Sequence, residues 1–336
     1  MTESRTALVT GSAGFIGFWL SRALLDAGYR VVGLDSMSDY YDVGLKQARL
    51  DQLADCDGFI QHTAKVEDAD AVRTIFEDHR PDIVVHLAGQ AGVRHSLKAP
   101  RDYVDANLVG TFNIMEGTRE FGCQHLLMAS TSSVYGANTQ MPYREVDKVD
   151  TQMSFYAATK KANEAMAHSY AHLHKIPTTM FRFFTVYGPW GRPDMAPYLF
   201  TSAILKGEPI NVYNHGEMKR DFTYVADLVE AIRLLIDAVP GSEPAAHDNL
   251  SAVAPYRVVN VGNAAPVKLA DFIAAIEDAT GKSAEKNLMD IQPGDVPATW
   301  ADTSLLAALT GFEPSTPIDI GVKNYVDWFR TYYDAS

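Results

Sequence analysis

The stretch TGSAGFIG at residues 10–17 decides the fold, because its three glycines stand between an apolar strand and an amphipathic helix. The strand is ALVTG (7–11), and the helix is GFWLSRALLDAG (17–28), which we expect to end at Gly28. RVVGLD (30–35) follows as a second strand. A strand, a crossover helix and another strand predict a parallel βαβ unit.

The same alternation continues through the first half of the chain. Further apolar runs predict strands at 82–89, 125–130 and 178–184, with helices near 68–79, 103–122 and 155–174. Continuous Val/Ile/Leu runs separated by helices are typical of a parallel sheet covered on both faces. The predicted fold class is therefore α/β, a doubly wound parallel sheet of the Rossmann type.

Beyond residue 185 the sequence changes character. YGPWGRPDMAP (187–197) is rich in Pro and Gly, so regular structure is interrupted there. Helices are predicted near 195–207 and 269–280, and RVVNVGN (257–263) indicates one more strand. We expect two domains: residues 1–184 plus about 221–262 form the Rossmann domain, and about 185–220 plus 263–336 form a smaller mixed α/β domain.

The three glycines indicate a dinucleotide site. Gly11 permits a tight turn, Gly14 lets the backbone approach a pyrophosphate, and Gly17 lets helix and strand pack closely. Asp35 ends the second strand, where a carboxylate accepts hydrogen bonds from both ribose hydroxyls of NAD and repels the extra phosphate of NADP. The pattern therefore predicts NAD as the cofactor.

Charge and composition exclude several classes of function. The 336 residues carry a formal net charge of -13 without a basic block, which argues against a nucleic-acid partner. No apolar run reaches the ~18 residues of a membrane span. The two cysteines, Cys56 and Cys123, lack metal-type spacing; a disulfide is possible but not indicated. We expect a cytoplasmic protein.

Tyr156 and Lys160 are the candidates for chemistry. They stand four residues apart in the predicted helix SFYAATKKANEAMAHSYAHLHK (154–175), so they share one face. A nearby ammonium and a positive nicotinamide ring both favour the phenolate and are expected to lower the phenol pKa from its usual value of about 10. Tyr156 could then remove a hydroxyl proton while NAD oxidises the carbon.

The glycine loop with Tyr156 and Lys160 resembles the extended short-chain dehydrogenase/reductase superfamily. Nearly the whole chain resembles its nucleotide-sugar branch, and specifically the UDP-glucuronate 4-epimerases. The matching stretches are DYYDVGLKQARL (39–50), HLAGQAGVRHSL (86–97), YAATKKANEAMAH (156–168), RFFTVYGPWGRPDMA (182–196), RDFTYV (220–225) and QPGDVPATWAD (292–302).

The resemblance implies a role for each matching residue. Tyr156 is the acid/base, Lys160 its partner and Thr131 the third catalytic member. Arg220 grips the diphosphate of a UDP-sugar substrate, and Asp295 holds the uridine ribose. Besides Asp35 and the catalytic pair, NAD is expected to contact Gly11, Gly14, Phe15, Ile16, Gly17, Leu87, Ala88, Gln90 and Asn107. Lys65 departs from the pattern, because many relatives carry Asp near the adenine at that place.

The implied reaction is epimerisation at carbon 4 of UDP-glucuronate to UDP-galacturonate through a transient 4-keto sugar. That intermediate is a β-keto acid, which tends to lose carbon dioxide. Related decarboxylases resemble Thr-Ser-Glu and dehydratases Thr-Asp-Glu in the place where this chain has Thr131, Ser132 and Ser133. We expect Ser132, Ser133 and Thr185, with Arg192 nearby, to bind the substrate carboxylate through charge-assisted hydrogen bonds. Alternatively, both serines only bond backbone at the strand end.

Other readings stay open on sequence alone. Arg94 could line the nicotinamide and sugar pocket with Gln90, and Arg220 could instead form a surface or interdomain ion pair. A neutral UDP-hexose 4-epimerase or a UDP-glucuronate decarboxylase is the alternative within the same class. A non-catalytic dinucleotide-sensing module is the alternative of another class, although such modules usually lack the Tyr and Lys pair.

We predict no metal site and a homodimer. His168 and His172 are spaced i, i+4, but no Glu completes an H-E-x-x-H frame. The helices near 103–122 and 155–174 have apolar positions beyond the needs of one sheet face, namely Phe112, Met115, Met166 and Tyr170. The resemblance implies dimerisation through a four-helix bundle built from these helices.

Overall fold

The computed structural model describes residues 4–241, 243–292 and 295–335. Its strands are β1 Thr6–Thr10, β2 Arg30–Asp35, β3 Phe59–Thr63, β4 Ile83–His86, β5 His125–Thr131, β6 Thr178–Phe183, β7 Thr185–Tyr187, β8 Ile210–Tyr213, β9 Lys219–Tyr224, β10 Tyr256–Val261, β11 Pro266–Lys268 and β12 Lys286–Met289.

Twelve α-helices alternate with these strands along the described residues. They are α1 Phe15–Asp26, α2 Val43–Ala54, α3 Ala69–His79, α4 Val93–Lys98, α5 Pro100–Tyr103, α6 Gly110–Phe121, α7 Phe155–His174, α8 Ala196–Lys206, α9 Val225–Asp237, α10 Leu269–Thr280, α11 Ser304–Thr310 and α12 Ile318–Tyr333. A π-helical turn, Val104–Val109, runs directly into α6, so the helix predicted near 103–122 begins as a wider turn.

The doubly wound parallel sheet is confirmed. Seven parallel strands lie in the order β10-β6-β5-β4-β1-β2-β3. Alternate residues of β1 enter opposite cores: Val9 packs with α1 and α9, whereas Leu8 packs with α3, α6 and α7. The apolar runs are continuous in sequence because both faces of these strands are buried.

The smaller part is built from short strands and the C-terminal helices. Strands β11, β9 and β7 form a three-stranded sheet, and β12 pairs with β8. Helices α8, α10 and α12 enclose a separate aromatic core around Phe222 and Phe272, whose stacked rings lie 4.4 Å apart.

The domain boundaries remain a prediction. Two elements pack differently from what the predicted boundaries imply. Strand β9, at the start of the segment 221–262, pairs in the smaller sheet. Helix α11, from the segment 263–336, places Leu305 and Leu306 in the core of the large sheet beside α9. The chain therefore crosses between the two parts more often than its composition indicates.

Among the described residues, no helix is long and apolar enough to cross a membrane. Cys56 and Cys123 are both free thiols. In the same described ranges, no cluster of three or more His, Cys, Asp or Glu side chains could hold a metal ion.

Candidate active site

A cleft of about 1220 Å³ opens between the carboxyl ends of the large sheet and the smaller part. This is where ligands bind in open α/β sheets. All but one of the predicted site residues line it: Gly11, Gly14, Phe15, Ile16, Gly17, Asp35, Leu87, Ala88, Gln90, Arg94, Thr131, Ser132, Ser133, Tyr156, Lys160, Thr185, Arg192, Arg220 and Asp295. The exception is Asn107.

The glycine turn between β1 and α1 has the form of a dinucleotide cradle. Gly11 has φ +76°, a conformation that favours glycine, and a Cβ there would lie 3.0 Å from the Ala88 backbone nitrogen. A Cβ on Gly17 would lie 2.0 Å from the Gly11 carbonyl oxygen, so no side chain fits. Gly14 caps α1 without a side chain, which leaves the helix N-terminus open to the cleft. These residues fit the diphosphate of NAD.

Asp35 is buried at the end of β2, on the rim of this cradle. Its Oδ2 accepts a hydrogen bond from the Ala13 backbone N–H (3.1 Å), and its Oδ1 accepts one from Met37 (2.8 Å). The carboxylate is thereby fixed against the turn, and its remaining lone pairs are available to ribose hydroxyls.

Asn107 supports the cleft from behind. It is fully buried in the π-helical turn, where its Oδ1 accepts from the Gln90 N–H (2.8 Å). Its Nδ2 donates to the Gln90 carbonyl (3.1 Å) and to Thr159 Oγ1 (3.0 Å). Asn107 therefore fixes the loop after β4 to α7, and its contact with NAD stays a prediction.

The predicted catalytic pair, Tyr156 and Lys160, lies on the first turns of α7. Ser154 caps the helix by accepting a hydrogen bond from Ala157 N–H (3.1 Å), which sets where the helix begins. Lys160 is buried; its Nζ donates to the Ala129 carbonyl (3.0 Å) at the end of β5. The helix thus presents Tyr156 and Lys160 to the same strand end that carries the hydroxyl cluster.

The electrostatics of Tyr156 differ from the prediction. Burial raises the phenol pKa, while a hydrogen bond with Thr131 and the charge of Arg192 lower it. Burial also lowers the pKa of Lys160 to about 8, because a desolvated ammonium is disfavoured. The protein groups by themselves therefore hold Tyr156 protonated, and it is Thr131 and Arg192 that favour its phenolate.

The hydroxyl cluster contains no acid. Thr131 Oγ1 accepts a hydrogen bond from the Ser133 N–H (3.2 Å) and donates to Ser133 Oγ (3.3 Å). Thr131 thus begins the short 3-10 helix Ser132–Tyr135. Within the described residues, the Ser132 and Ser133 hydroxyls bond no backbone group, so the alternative of a merely structural strand end is not what the chain adopts.

Arg192 reaches the cleft as part of a charged group. Its guanidinium pairs with Asp194 at 2.5 and 3.0 Å and lies over the ring of Tyr40, 5.7 Å from the centroid. Tyr40 Oη also donates to Asp194 (3.3 Å). Arg192 therefore belongs to a loop of the smaller part that meets the β2–α2 connection of the large part.

Two further arginines stand at the far end of the cleft. Arg94 Nη2 lies 3.1 Å from Asp295 Oδ2 and its guanidinium covers the ring of Tyr213. Arg220 donates only to the neighbouring Lys219 carbonyl (2.9 Å), and no carboxylate of the described residues lies within ion-pair distance of it. The predicted alternative of an interdomain ion pair is thus not formed, and its charge faces the cleft.

Residues 7–262 match the model of the NAD dependent epimerase/dehydratase family. The chain belongs to this family. Protein CapI of Staphylococcus aureus is 52% identical over 330 residues, which cover 97% of this chain and 98% of the relative. The probable UDP-glucuronate 4-epimerase of Rhizobium meliloti (strain 1021) is 51% identical over 331 residues, 97% of both chains.

A solved structure has the same fold as this epimerase/dehydratase family member. It is the UDP-glucuronic acid 4-epimerase from Bacillus cereus in complex with UDP-glucuronic acid and NAD. The TM-score is 0.87 at 31% identity, and the match covers 98% of this chain and 100% of that chain.

A buried ion pair that was not predicted from the sequence supports the site of this epimerase/dehydratase family member. Glu164 stands one turn beyond Lys160 and binds Arg182 of β6 through two hydrogen bonds of 2.9 Å. It also accepts from Ser130 (2.7 Å), the residue before Thr131. The spacing of Glu164 from Lys160 on one helix face was a usable signal, whereas its partners come from distant strands.

Proposed function

We infer that this protein catalyses the NAD-dependent epimerisation of UDP-glucuronate to UDP-galacturonate at carbon 4, through a 4-keto intermediate and without decarboxylation. One observation carries the inference. The glycine cradle, Tyr156 and a strand end that bears hydroxyls but no acid open into one cleft. The Bacillus cereus relative, which shares the fold over its whole length, binds UDP-glucuronic acid and NAD.

Tyr156 is the proposed acid/base. Bound NAD would supply the oxidation of carbon 4 to a ketone and the reduction that follows. Tyr156 removes the proton of the 4-hydroxyl and returns a proton to that oxygen after the sugar has turned. Thr131 stabilises the phenolate by a hydrogen bond, for which its one hydroxyl proton turns from Ser133 Oγ to the Tyr156 oxygen. Lys160 holds the end of β5 through the Ala129 carbonyl.

The substrate carboxylate is the proposed ligand of Ser132, Ser133, Thr185 and Arg192. Hydroxyl donors orient a carboxylate without offering it a proton, and an acid in their place would repel it. If the carbon–carbon bond to the carboxylate is held out of overlap with the ketone, loss of carbon dioxide is suppressed. The half-buried hydroxyls of the strand end thereby protect the β-keto acid while it exists.

The UDP part must stay anchored while the sugar turns. Arg220 is the proposed ligand of the diphosphate, because it lines the cleft and no carboxylate of the described residues lies within ion-pair distance of it; Asp295 acts on its charge only from farther away. Asp295 is the proposed ligand of the uridine ribose, and Arg94 holds it in place from the opposite wall.

The decisive experiment is an incubation of the purified protein with UDP-glucuronate, without added NAD, followed by product identification. UDP-galacturonate supports the proposal and shows that NAD is retained. A UDP-pentose indicates the decarboxylase, and turnover of UDP-glucose alone indicates the neutral hexose epimerase. No turnover of any UDP-sugar, even with NAD supplied, indicates the binding module.

We also propose a homodimer and a cytoplasmic location. Val109 and Phe112 are 40% and 46% exposed, and Phe112 lies against Tyr170 of α7. These two apolar side chains support a helix-to-helix contact between copies. Met115 was predicted to be one of the apolar residues left over for this contact. It is fully buried in the sheet core and does not contribute.

The two free thiols fit a reducing compartment, which supports the proposed cytoplasmic location.

A further inference from the structure

Arg49 is a buried cation of α2 whose partners are all neutral. It is fully buried, and no carboxylate of the described residues lies within ion-pair distance of its guanidinium. Nη1 donates to the Ala13 carbonyl and to Tyr41 Oη, both at 2.8 Å, and Nη2 donates to the Trp190 carbonyl at 2.6 Å. Nε has no partner. A buried charge without a counter-ion is costly, so its retention calls for an explanation.

The two carbonyls that Arg49 holds belong to the two loops of the cleft. Ala13 lies between Gly11 and Gly14, inside the glycine turn. Trp190 lies two residues before Arg192, in the loop Gly188–Arg192. The guanidinium is therefore a direct bridge between the cofactor turn and the loop that carries the proposed carboxylate ligand.

The Gly188–Arg192 loop is held in a strained conformation from both parts of the molecule, since the Trp190 ring also lies 4.9 Å from Tyr332 and 5.4 Å from Trp328 of α12. Trp190 has φ +64°, which is unusual for a bulky residue and persists only where surrounding contacts impose it. Its ring packs against Phe18 of α1, and Trp19 Nε1 of the same helix donates to the Pro189 carbonyl (2.9 Å). Arg49 and Trp19 thus hold two successive carbonyls of this loop.

The charge of Arg49 acts on the same cradle. It lies directly behind Ala13 and adds to the positive end of α1, whose N-terminus opens to the cleft. The Asp35 carboxylate accepts from the N–H of the same Ala13 whose carbonyl Arg49 holds, and a diphosphate in the cradle would be a second anion at this turn. Binding of that anion would stabilise the guanidinium, and a fixed guanidinium would hold the Trp190 carbonyl.

We propose that Arg49 is a positioning residue that couples NAD binding to binding of the sugar acid. Its charge favours the NAD diphosphate, and its fork of donors places the Arg192 loop against the cofactor turn. The identity of the sugar acid rests on the proposed function. By linkage, each ligand then strengthens the binding of the other by the same factor.

The test compares Arg49→Lys, Arg49→Met and Trp19→Phe with the wild-type holoenzyme. Two quantities are measured in each: the rate at which NAD is lost on dilution, and the dissociation constants of UDP-glucuronate and of UDP at saturating NAD. In the wild type, UDP-glucuronate slows NAD loss by about tenfold, a typical coupling, and more than UDP does.

The variants separate the two parts of the proposal. Arg49→Met loses NAD at least tenfold faster, because the charge is gone. Arg49→Lys keeps the charge but not the fork, so it retains NAD within about threefold while UDP-glucuronate binds about tenfold more weakly and no longer slows NAD loss. Trp19→Phe removes the Pro189 bond while it keeps an aromatic ring beside Phe18, so it disturbs the loop without touching the charge; we expect weaker binding of UDP-glucuronate and unchanged NAD retention. UDP binds equally to all of them.

Two results would overturn the proposal. In one, Arg49→Lys binds UDP-glucuronate as tightly as the wild type does, and UDP-glucuronate slows its loss of NAD as much as in the wild type. The other is a parallel loss of NAD, UDP-glucuronate and UDP, which a general disturbance of the fold would cause. A failure of the proposed function is distinct: the wild type would then not turn over UDP-glucuronate, while the NAD retention of Arg49→Met still tests the role of the charge.

Discussion

Tyr156 is held in its protonated form by burial, although the proposed reaction requires it to accept a proton. The hydrogen bond with Thr131 and the charge of Arg192 act in the opposite direction. A phenol whose ionisation depends on its ligands is suited to an enzyme that takes a proton only when a substrate occupies the cleft.

Replacing Tyr156 by Phe removes the proposed acid/base and little else. We expect kcat to fall by about 10²–10⁴-fold with little change in KM, because proton transfer contributes about that much. The measurement is a product assay with UDP-glucuronate. Tyr170→Phe, in which the same helix loses a hydroxyl that bonds Glu116 outside the cleft, is the matched control and should keep its activity. Retained activity in Tyr156→Phe would move the chemistry elsewhere.

Ser133→Glu tests the meaning of the missing acid. A carboxylate beside Thr131 would repel the substrate carboxylate and could deliver a proton near the keto intermediate. We expect weaker binding of UDP-glucuronate and release of carbon dioxide with a UDP-pentose. Ser133→Ala, which removes one donor without adding charge, should weaken binding without carbon dioxide release. An unchanged product distribution in Ser133→Glu would contradict the protective role of the hydroxyls.

Helix α7 joins the chemistry to the scaffold. Tyr156 and Lys160 lie on its first turns, and Glu164 on the next turn is tied to Ser130 of β5 and Arg182 of β6. Because the helix is fixed at this point, the distance between the proposed catalytic pair and the strand end is set by the fold rather than by a flexible loop.

Glu164→Gln leaves Arg182 as a buried, unpaired cation. Both partners are at most 3% exposed, and breaking a buried pair from one side typically costs about 3–5 kcal/mol. We expect the free energy of unfolding, measured in urea, to fall by about 3–5 kcal/mol. Lys161→Ala is the control, because Lys161 binds the same Glu164 carboxylate but its own side chain is 34% exposed. This change should lower the free energy of unfolding by less than about 1 kcal/mol. Equal costs would show that Arg182 is not the decisive partner.

At the scale of the whole molecule, the free energy of unfolding should depend on Glu145. Burial raises the pKa of Glu145 to about 7, against about 4.5 in an exposed chain. Between these values the folded state binds more protons than the unfolded state, so this group lowers stability as the pH rises from 4.5 to 7.

Glu145→Gln removes that titration and can still accept the hydrogen bond of the Asn260 N–H (2.8 Å). We therefore expect the free energy of unfolding of the variant, relative to the wild type, to be about 3 kcal/mol higher at pH 8 than at pH 4.5 when both are measured by denaturant unfolding. The pH 4.5 measurement serves as the internal control. A difference that is independent of pH would show that the carboxyl is not desolvated.

Phe112→Glu tests the proposed assembly. A charge in the centre of an apolar helix contact should dissociate a dimer, which sedimentation velocity measures directly. Leu288→Glu is the control, because Leu288 is 60% exposed on β12, away from α6 and α7. A wild type that sediments as a monomer, or an assembly unaffected by Phe112→Glu, would contradict the four-helix contact.

Much of the fold was accessible from local patterns. The predicted helices at 155–174 and 269–280 coincide with α7 and α10, and the predicted strand 30–35 coincides with β2. Helices α2, α9 and α12 were not predicted, although α9 and α12 have apolar residues at helical spacing that would have indicated them. The strand predicted at 82–89 ends at His86, because the chain turns there to form the cleft wall.

By itself, the sequence determined the features that depend on neighbouring residues. The glycine turn, the acid at the end of β2, the Tyr156–Lys160 spacing and the hydroxyls after β5 are all local, because backbone conformation and helical periodicity act over a few residues. The tertiary structure alone decided which charges meet. Arg94 and Asp295 are 201 residues apart, and Arg49 joins carbonyls that lie 36 and 141 residues away from it. Such contacts follow from how the two parts pack around the cleft, and no periodicity in the chain encodes them.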